Sequence, residues 1–171
     1  MKNLSIYCLA VLMFFALFLS CCTTESTRAE DKNQTKKFSV GESASVDGMK
    51  ITVHSVRYAS VIDEKGSKFL AITASKGKKF LIVDVSFENT DPGQVQVINT
   101  MLNSEISDSA GHNSKPSIAI MGALENCFRD GEIAPGAKKR GEVGYEVMEE
   151  SNGLVFSYNL NAVHPSVKYN L

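Results

Sequence analysis

Three imidazoles, His54, His112 and His164, are available for metal binding or acid–base chemistry, and they lie far apart in the chain. Spacings that place two ligands on one element, such as His-x-His, His-x-x-x-His or Cys-x-x-Cys, do not occur, so no zinc-type centre is expected. Met49, Met101, Met121 and Met148 could join His54 as the thioether and imidazole ligands that suit copper. They do not cluster, and methionine fills cores routinely. Asp84, Asp91, Asp108 and Asp130 fall near turns and could gather around calcium. Calcium wants roughly six to eight oxygens, and no dense Asp-x-Asp-x-Asp loop supplies them. Turn formation is the expected role of most of them. Cys127 sits between Leu124 and Phe128, an apolar neighbourhood in which a small core residue is expected. Activation as a nucleophile would need a base or positive charge nearby, and Arg129 alone is a weak candidate. There is no Gly-x-Ser-x-Gly elbow, P-loop, dinucleotide fingerprint or paired-His motif. No enzyme, no cofactor and no metal site is expected.

Charge narrows the partners. The formal net charge of -1 over 171 residues offers no basic field to nucleic acid, which is not expected as a partner. Two short basic clusters stand out: Lys76, Lys78 and Lys79, then Lys138, Lys139 and Arg140. Near a membrane they could touch anionic headgroups or wall polymers; as solvated turns they would need no partner. The length suits one domain plus an export segment.

The export segment is explicit. Lys2 is a short positive region, and residues 4–19 are apolar apart from Ser5. That length is slightly short for a membrane span of about 20 residues. A stop-transfer helix wants Lys or Arg at its cytoplasmic edge; here Cys21-Cys22-Thr23-Thr24-Glu25-Ser26 comes next. Leu17-Phe18-Leu19-Ser20-Cys21 resembles the bacterial lipobox, in which a small residue precedes the cysteine that receives diacylglycerol. Residues 1–20 are therefore expected to be a lipoprotein signal peptide, with Cys21 lipidated in preference to Cys22. An ordinary cleaved signal peptide or an uncleaved anchor is the alternative. Two or three acyl chains would hold the protein stably at the membrane. Residues 23–37 (TTESTRAEDKNQTKK) hold one alanine and no larger apolar side chain, so 21–37 reads as the lipidated cysteine and a flexible linker. Asn33-Gln34-Thr35 matches a glycosylation sequon, expected by chance in such a protein.

From Phe38 onward the dominant period is two. Leu81, Val83, Val85 and Phe87 alternate with other residues until Asn89-Thr90-Asp91-Pro92-Gly93 closes the run. Val143, Tyr145 and Val147 form a second alternation, and Leu154, Phe156, Tyr158 and Leu160 a third, joined by a hairpin-type connection at 149–153. Ile51 and Val53 occupy one parity and Val56 and Tyr58 the other, which predicts a β-bulge near His54 and Ser55. Leu102, Ser104 and Ile106 alternate weakly before Asp108-Ser109-Ala110-Gly111. Residues 118–124 read as a strand or a buried loop. Val167, Tyr169 and Leu171 form a terminal strand, expected at a sheet edge. Seven or eight strands without a helical stripe predict an all-β sandwich over 38–171; a closed barrel with a ligand cavity and a small jelly roll are the alternatives.

Three blocks also resemble a known family. GKKFLIVDVSFEN (77–89) resembles the central strand of the telokin-like lipoprotein domains of unknown function. Residues 130–147, in which Pro135-Gly136 turns into a strand through Gly141 and Gly144, are similar to that family's second block. Asp108-Ser109-Ala110-Gly111 resembles its Asp-x-x-Gly turn. Met148 departs from the family's proline, and the segment after Leu160 is additional. The resemblance, over residues 37–158, implies an immunoglobulin-like β-sandwich on a secreted or lipid-anchored protein, and it brings no catalytic residue. On physical grounds Gly141 and Gly144 mark close backbone approach within a strand.

A membrane-anchored extracytoplasmic lipoprotein with a non-catalytic binding domain is the expected function. Its partners would be the membrane, through the lipid anchor, and an envelope protein or wall polymer, met through the turns at Pro92-Gly93 and Asp108–Gly111 or through the terminal strand. The alternative is an envelope carrier of a small ligand or metal ion. The anchor gives the first prediction. Cells fed radiolabelled palmitate should label the wild-type chain and not Cys21→Ala; label persisting in that variant would falsify the assignment.

Overall fold

The structure is a computed structural model, and it describes residues 37–64, 66, 71–160 and 166–171. Cys21, the signal peptide and all of the linker except Lys37 lie outside the described residues. In chain order the strands begin with β1 (Lys37–Ser39), β2 (Ser43–Val46), β3 (Met49–Ala59), β4 (Val61–Ile62), β5 (Ile72–Thr73), β6 (Lys78–Asn89) and β7 (Gln96–Ile98). A short helix, α1 (Thr100–Asn103), precedes β8 (Ser104–Ser107) and β9 (Asn113–Ser114). A second, α2 (Ile118–Ala123), precedes β10 (Gly131–Ile133), β11 (Lys138–Met148), β12 (Val155–Tyr158) and β13 (Val167–Asn170).

Two sheets carry the fold, an immunoglobulin-like β-sandwich. One has the order β1-β13-β12-β8-β9 and the other β11-β6-β3-β2. Two ribbons, β7 with β10 and β4 with β5, are appended to them. The strands outnumber the seven or eight expected because segments of two to four residues, too short to show a period, still pair.

The alternations translate directly into packing. Leu81, Val83, Val85 and Phe87 are fully buried on the inner face of β6, and Val143, Tyr145 and Val147 are buried beside them on β11. Leu154, Phe156 and Tyr158 close the core from the opposite sheet, with Leu160 at its margin. Aromatic rings interleave across the gap. Phe87 meets Tyr158 at 4.7 Å between centroids, and Tyr145 meets Phe156 edge-on at 6.4 Å. The bulge lies where the parity switch places it: β3 shifts register against β6 between Val53 and Ser55, and His54 is the extra residue.

Four expectations are corrected. Residues 149–153 do not close a hairpin, because β11 and β12 belong to different sheets and the connection crosses the end of the sandwich. Residues 118–123 are helical, with the Ser117 side chain capping the Ile120 N–H. The third is β13, which lies inside its sheet: it pairs with β12 on one side and, in parallel, with β1 on the other. That parallel pairing also brings Lys37, expected to end the linker, into β1. Finally, Leu102 falls in α1 and is exposed, so only Ser104 and Ile106 face inward there.

Helix α2 covers the outer face of β11, and glycine makes this possible. A Cβ on Gly144 would stand 2.0 Å from Ile120 Cγ2, and one on Gly141 would stand 2.6 Å from Phe128 Cα. A side chain at either position would push the covering segment off the sheet.

Three buried tyrosines use their hydroxyls to tie elements together. Tyr169 of β13 donates to the Ile51 carbonyl of β3 at 2.6 Å and accepts from the Ala44 N–H of β2 at 3.2 Å. Tyr145 of β11 shares a 2.6 Å hydrogen bond with Ser104 of β8. Tyr158 accepts from the Asn99 N–H. Burial pushes the Tyr169 hydroxyl up to about 12 from 10.0; the Ala44 N–H opposes the shift and the Glu42 charge adds to it. The unfolded chain ionises this tyrosine first, so its contribution is lost as pH rises from about 10 toward 12. Tyr169→Phe should lower stability at neutral pH by about 1–3 kcal/mol, since it leaves two buried backbone groups without their partner. It should also flatten the alkaline decline in the urea midpoint; an unchanged pH slope would show that this hydroxyl does not span the sheets.

Candidate functional site

Three chain connections meet at one end of the sandwich. The β8–β9 turn is built on Asp108, whose N–H and carbonyl bond the His112 carbonyl and the Gly111 N–H. The β11–β12 crossing reaches it through Ser109, whose N–H donates to the Asn152 carbonyl at 3.1 Å and whose hydroxyl donates to Asn152 Oδ1. The turn before β6 joins through the Gly77 carbonyl, which accepts the Glu149 N–H at 3.0 Å. Lys79 Nζ donates to the Glu149 carbonyl at 2.8 Å. Each connection holds another, so the walls between them are fixed.

The space they enclose is a pocket of about 470 Å³ lined by Asp108, His112, Met148, Glu149, Glu150 and their neighbours. A second cleft of about 160 Å³ adjoins it and shares Asp108, His112, Met148 and Ser151.

Asp108 organises this end of the molecule. Its Oδ1 accepts the backbone N–H groups of Ala110 at 3.0 Å and His112 at 2.9 Å. Its Oδ2 accepts His112 Nδ1–H and the Ser151 hydroxyl, both at 2.9 Å. The His112 side-chain bond, the strongest cause, holds the carboxyl well below the usual carboxylate range; desolvation opposes it, and the His112 N–H and Ser151 add to it. With Nδ1 donating to Asp108, a neutral His112 carries its lone pair on Nε2. The ring is largely exposed, with the carboxylate behind it almost covered. Hydroxyl protons of Ser109 and Ser151 already have acceptors. The lining thus presents an acceptor nitrogen, the carboxylates of Glu149 and Glu150, the amide of Asn152, and the apolar surface of Met148 and Ala110.

A family model described as a domain of unknown function (DUF4352) matches residues 38–169, the whole sandwich. The chain belongs to this family. No curated protein matches it. Among solved structures, the DUF4352 chain is similar to the yjhA protein of Bacillus subtilis, with 17% identity, a TM-score of 0.57, and coverage of 78% of this chain and 98% of that one. It is similar to MPT63, a secreted protein of Mycobacterium tuberculosis, at 10% identity and a TM-score of 0.59, covering 81% and 99%. It also resembles ycdA of Bacillus subtilis, a nominal lipoprotein, at 14% identity and a TM-score of 0.57, covering 75% of this chain and 38% of that chain. At these identities the likeness is one of fold.

Within the DUF4352 sandwich the remaining chemistry-bearing residues are spread out. Asp84 is gripped by Arg140, whose Nε and Nη2 donate to its two oxygens at 2.9 and 2.6 Å. Asp91 accepts the N–H groups of Gly93 and Gln94, and Asp130 accepts the N–H and hydroxyl of Thr100 at the start of α1. Met49 is buried in the core, Met121 Sδ accepts the Gly144 N–H, and Met148 lines the pocket. Cys127 is half-buried, with its thiol donating to the Phe128 carbonyl. His164 lies outside the described residues. Among the described residues, no three His, Cys, Asp or Glu side chains converge as a metal site would require, and no helix is long and apolar enough to cross a membrane.

One pairing escaped the sequence. His54, displaced by the bulge, shares a 2.8 Å hydrogen bond between its Nε2 and Ser86 Oγ, with Asp84 and Arg140 close by. Burial first, then Arg140, holds the imidazole below its ordinary value, while Asp84 pulls the other way. Ser86 is 1% exposed and Asp84 faces Arg140, so this Ser, His and Asp set lacks the accessible hydroxyl of a nucleophilic site.

A carboxyl held low in the folded state contributes stability above its unfolded value, near 3.8, and loses that contribution as pH falls below it. Asp108→Asn should therefore remove part of the acid-limb decline in stability. It should also release the His112 tautomer, visible as a change in the ring nitrogen NMR shifts. An acid-unfolding curve and ring shifts identical to wild type would show that Asp108 does not hold this end of the sandwich.

Proposed function

We propose that the protein is a lipid-anchored, extracytoplasmic binding module that captures a positively charged, amine-bearing group in the pocket at the loop end of its sandwich. The observation that carries this reading is the pocket itself. It is concave, its walls are tied together by hydrogen bonds, and its charged groups are the carboxylates of Glu149 and Glu150, set beside an acceptor imidazole nitrogen with the Asn152 amide as a neutral donor. A volume near 470 Å³ is in the range of small-molecule sites. Acceptors over an apolar floor of Met148 and Ala110 suit an ammonium group with a short aliphatic stem. Catalysis has no part in the proposal, since the hydroxyls in the lining are already bonded to acceptors.

Anchoring through Cys21 belongs to the same proposal. It is supported by the lipobox-like Leu17-Phe18-Leu19-Ser20-Cys21 and by the resemblance in fold to a nominal lipoprotein and a secreted protein. A telokin-like ancestry for the sandwich is part of it too. A tether of residues 23–36 would spread over about 20 Å, leaving the domain near the membrane yet free to turn toward a small ligand or an amine displayed by an envelope protein or wall polymer.

Spermidine and a lysine-containing peptide are suitable probes. Titrated into the full chain, they should move the His112 ring signals to saturation, and Glu149→Gln with Glu150→Gln should weaken binding by about tenfold or more. A purified chain that ignores both amines while retaining a stoichiometric anion or metal would overturn this reading.

A further inference from the structure

A second concave surface lies where residues 125–129 run along the free edge of β11. Two backbone hydrogen bonds join them: Phe128 N–H to the Glu142 carbonyl and Glu142 N–H to the Asn126 carbonyl, both 2.8 Å. Gly141, with no Cβ, lets the Phe128 backbone lie directly against the strand. The result is a cleft of about 390 Å³ lined by Glu125, Asn126, Cys127, Arg129, Lys139 and Arg140. Its walls are strand and strand-paired backbone, so its shape does not depend on an unattached loop.

Unpaired cations gather in this cleft. Lys50, Arg57, Lys78 and Lys115 each meet a carboxylate. Arg129 and Lys139, among the described residues, meet none. Arg140 meets Asp84 through Nε and Nη2, which fixes the guanidinium plane and leaves Nη1 unspent. Glu125 is the one acid in the lining, outnumbered by three cations. The adjoining imidazole registers the field, since the charges of Arg140 and Lys138 help burial to hold His54 low.

We propose that this cleft binds a phosphate group. An oriented guanidinium offers donors in the geometry of phosphate oxygens, Arg129 offers a second fork, and Lys139 adds a mobile point charge. The Asn126 amide is a neutral donor at the rim. A phosphodiester brings one negative charge and unshared oxygens to a place where two cations lack a counter-ion. The same chemistry is carried by the headgroup of an anionic lipid and by a soluble or polymer-borne phosphate. The site is separate from the acidic pocket and does not rest on its proposed amine ligand.

Glycerol 3-phosphate titrated into the full chain, carried in phosphatidylcholine nanodiscs, tests the site. The backbone signals of Asn126, Arg129, Lys139 and Arg140 should shift to saturation, and the His54 ring should titrate at higher pH as the field is neutralised. Arg129→Gln with Lys139→Gln should weaken binding by about tenfold or more while keeping the melting midpoint, and Lys76→Gln, in the other basic cluster, should bind as wild type. Nanodiscs containing phosphatidylglycerol distinguish the source. The same signals shifting without added glycerol 3-phosphate identify a lipid headgroup; signals that move only with the soluble ligand identify a free or polymer-borne phosphate. Signals that move with neither probe, or a double variant that binds as tightly as wild type, overturn the proposal.

Discussion

The hydroxyl of Tyr169 is the constraint on which the sandwich closes. It reaches out of the five-stranded sheet and bonds the backbone of both β2 and β3 in the other. Hydrophobic burial holds the sheets together but is non-directional, and would tolerate some sliding of one over the other. A buried hydroxyl with two backbone partners does not, because any slip leaves buried polar groups unpaired. The bond between Tyr145 and Ser104 repeats the device farther along the core, and the Ser104 hydroxyl in turn donates a hydrogen bond to the Thr100 carbonyl. These bonds set the sheets in one register as the apolar side chains fill the space between.

Register, once fixed, determines the form of the ends and outer faces. The loop-end pocket exists because β11 leaves one sheet and β12 enters the other, which carries Glu149 and Glu150 across the mouth of the sandwich. Asp108 then ties the β8–β9 turn to that crossing through Ser151 and orients His112 in the same step. At the β11 edge, Gly141 and Gly144 allow helix α2 and the segment after it to lie against the strand. That covers an edge that would otherwise be open to another chain, and it creates the cleft beside Arg140. An acidic pocket and a basic cleft thus arise at two places on β11: where the chain runs on into the crossing, and where the earlier segment 125–129 pairs along its edge.

Much of this was legible in the sequence, and the elements show why. The alternation of Leu81, Val83, Val85 and Phe87 is a direct consequence of side chains pointing to opposite faces, so it survives in any context. The bulge at His54 was readable for the same reason, since an extra residue inverts the parity of the strand beyond it. Helix α2 was not readable: six residues of continuous apolar character fit a strand or a helix equally well, and the deciding factor is the glycine-lined surface they cover. The 149–153 connection has a hairpin's length, and nothing local distinguishes a turn within a sheet from a crossing between two. The site was legible only as fragments. Asp108 to Gly111 read as a turn, but not as the anchor of a pocket walled by Glu149 and Ser151.

What the sequence determined by itself was local: the β-period of the body, the turn at Asp108, the glycines of β11, and the lipobox-like approach to Cys21. Each arises from backbone geometry or from residues adjacent in the chain. The tertiary structure decided which strands share a sheet, that β13 lies inside its sheet, that His54 meets Ser86, and that His112 lines one pocket with Glu149 and Glu150. These are juxtapositions of residues roughly 30 to more than 100 positions apart. Their formation depends on the closing of many strands at once, with the loop entropy offset only by the completed core, and no short stretch of the sequence records it.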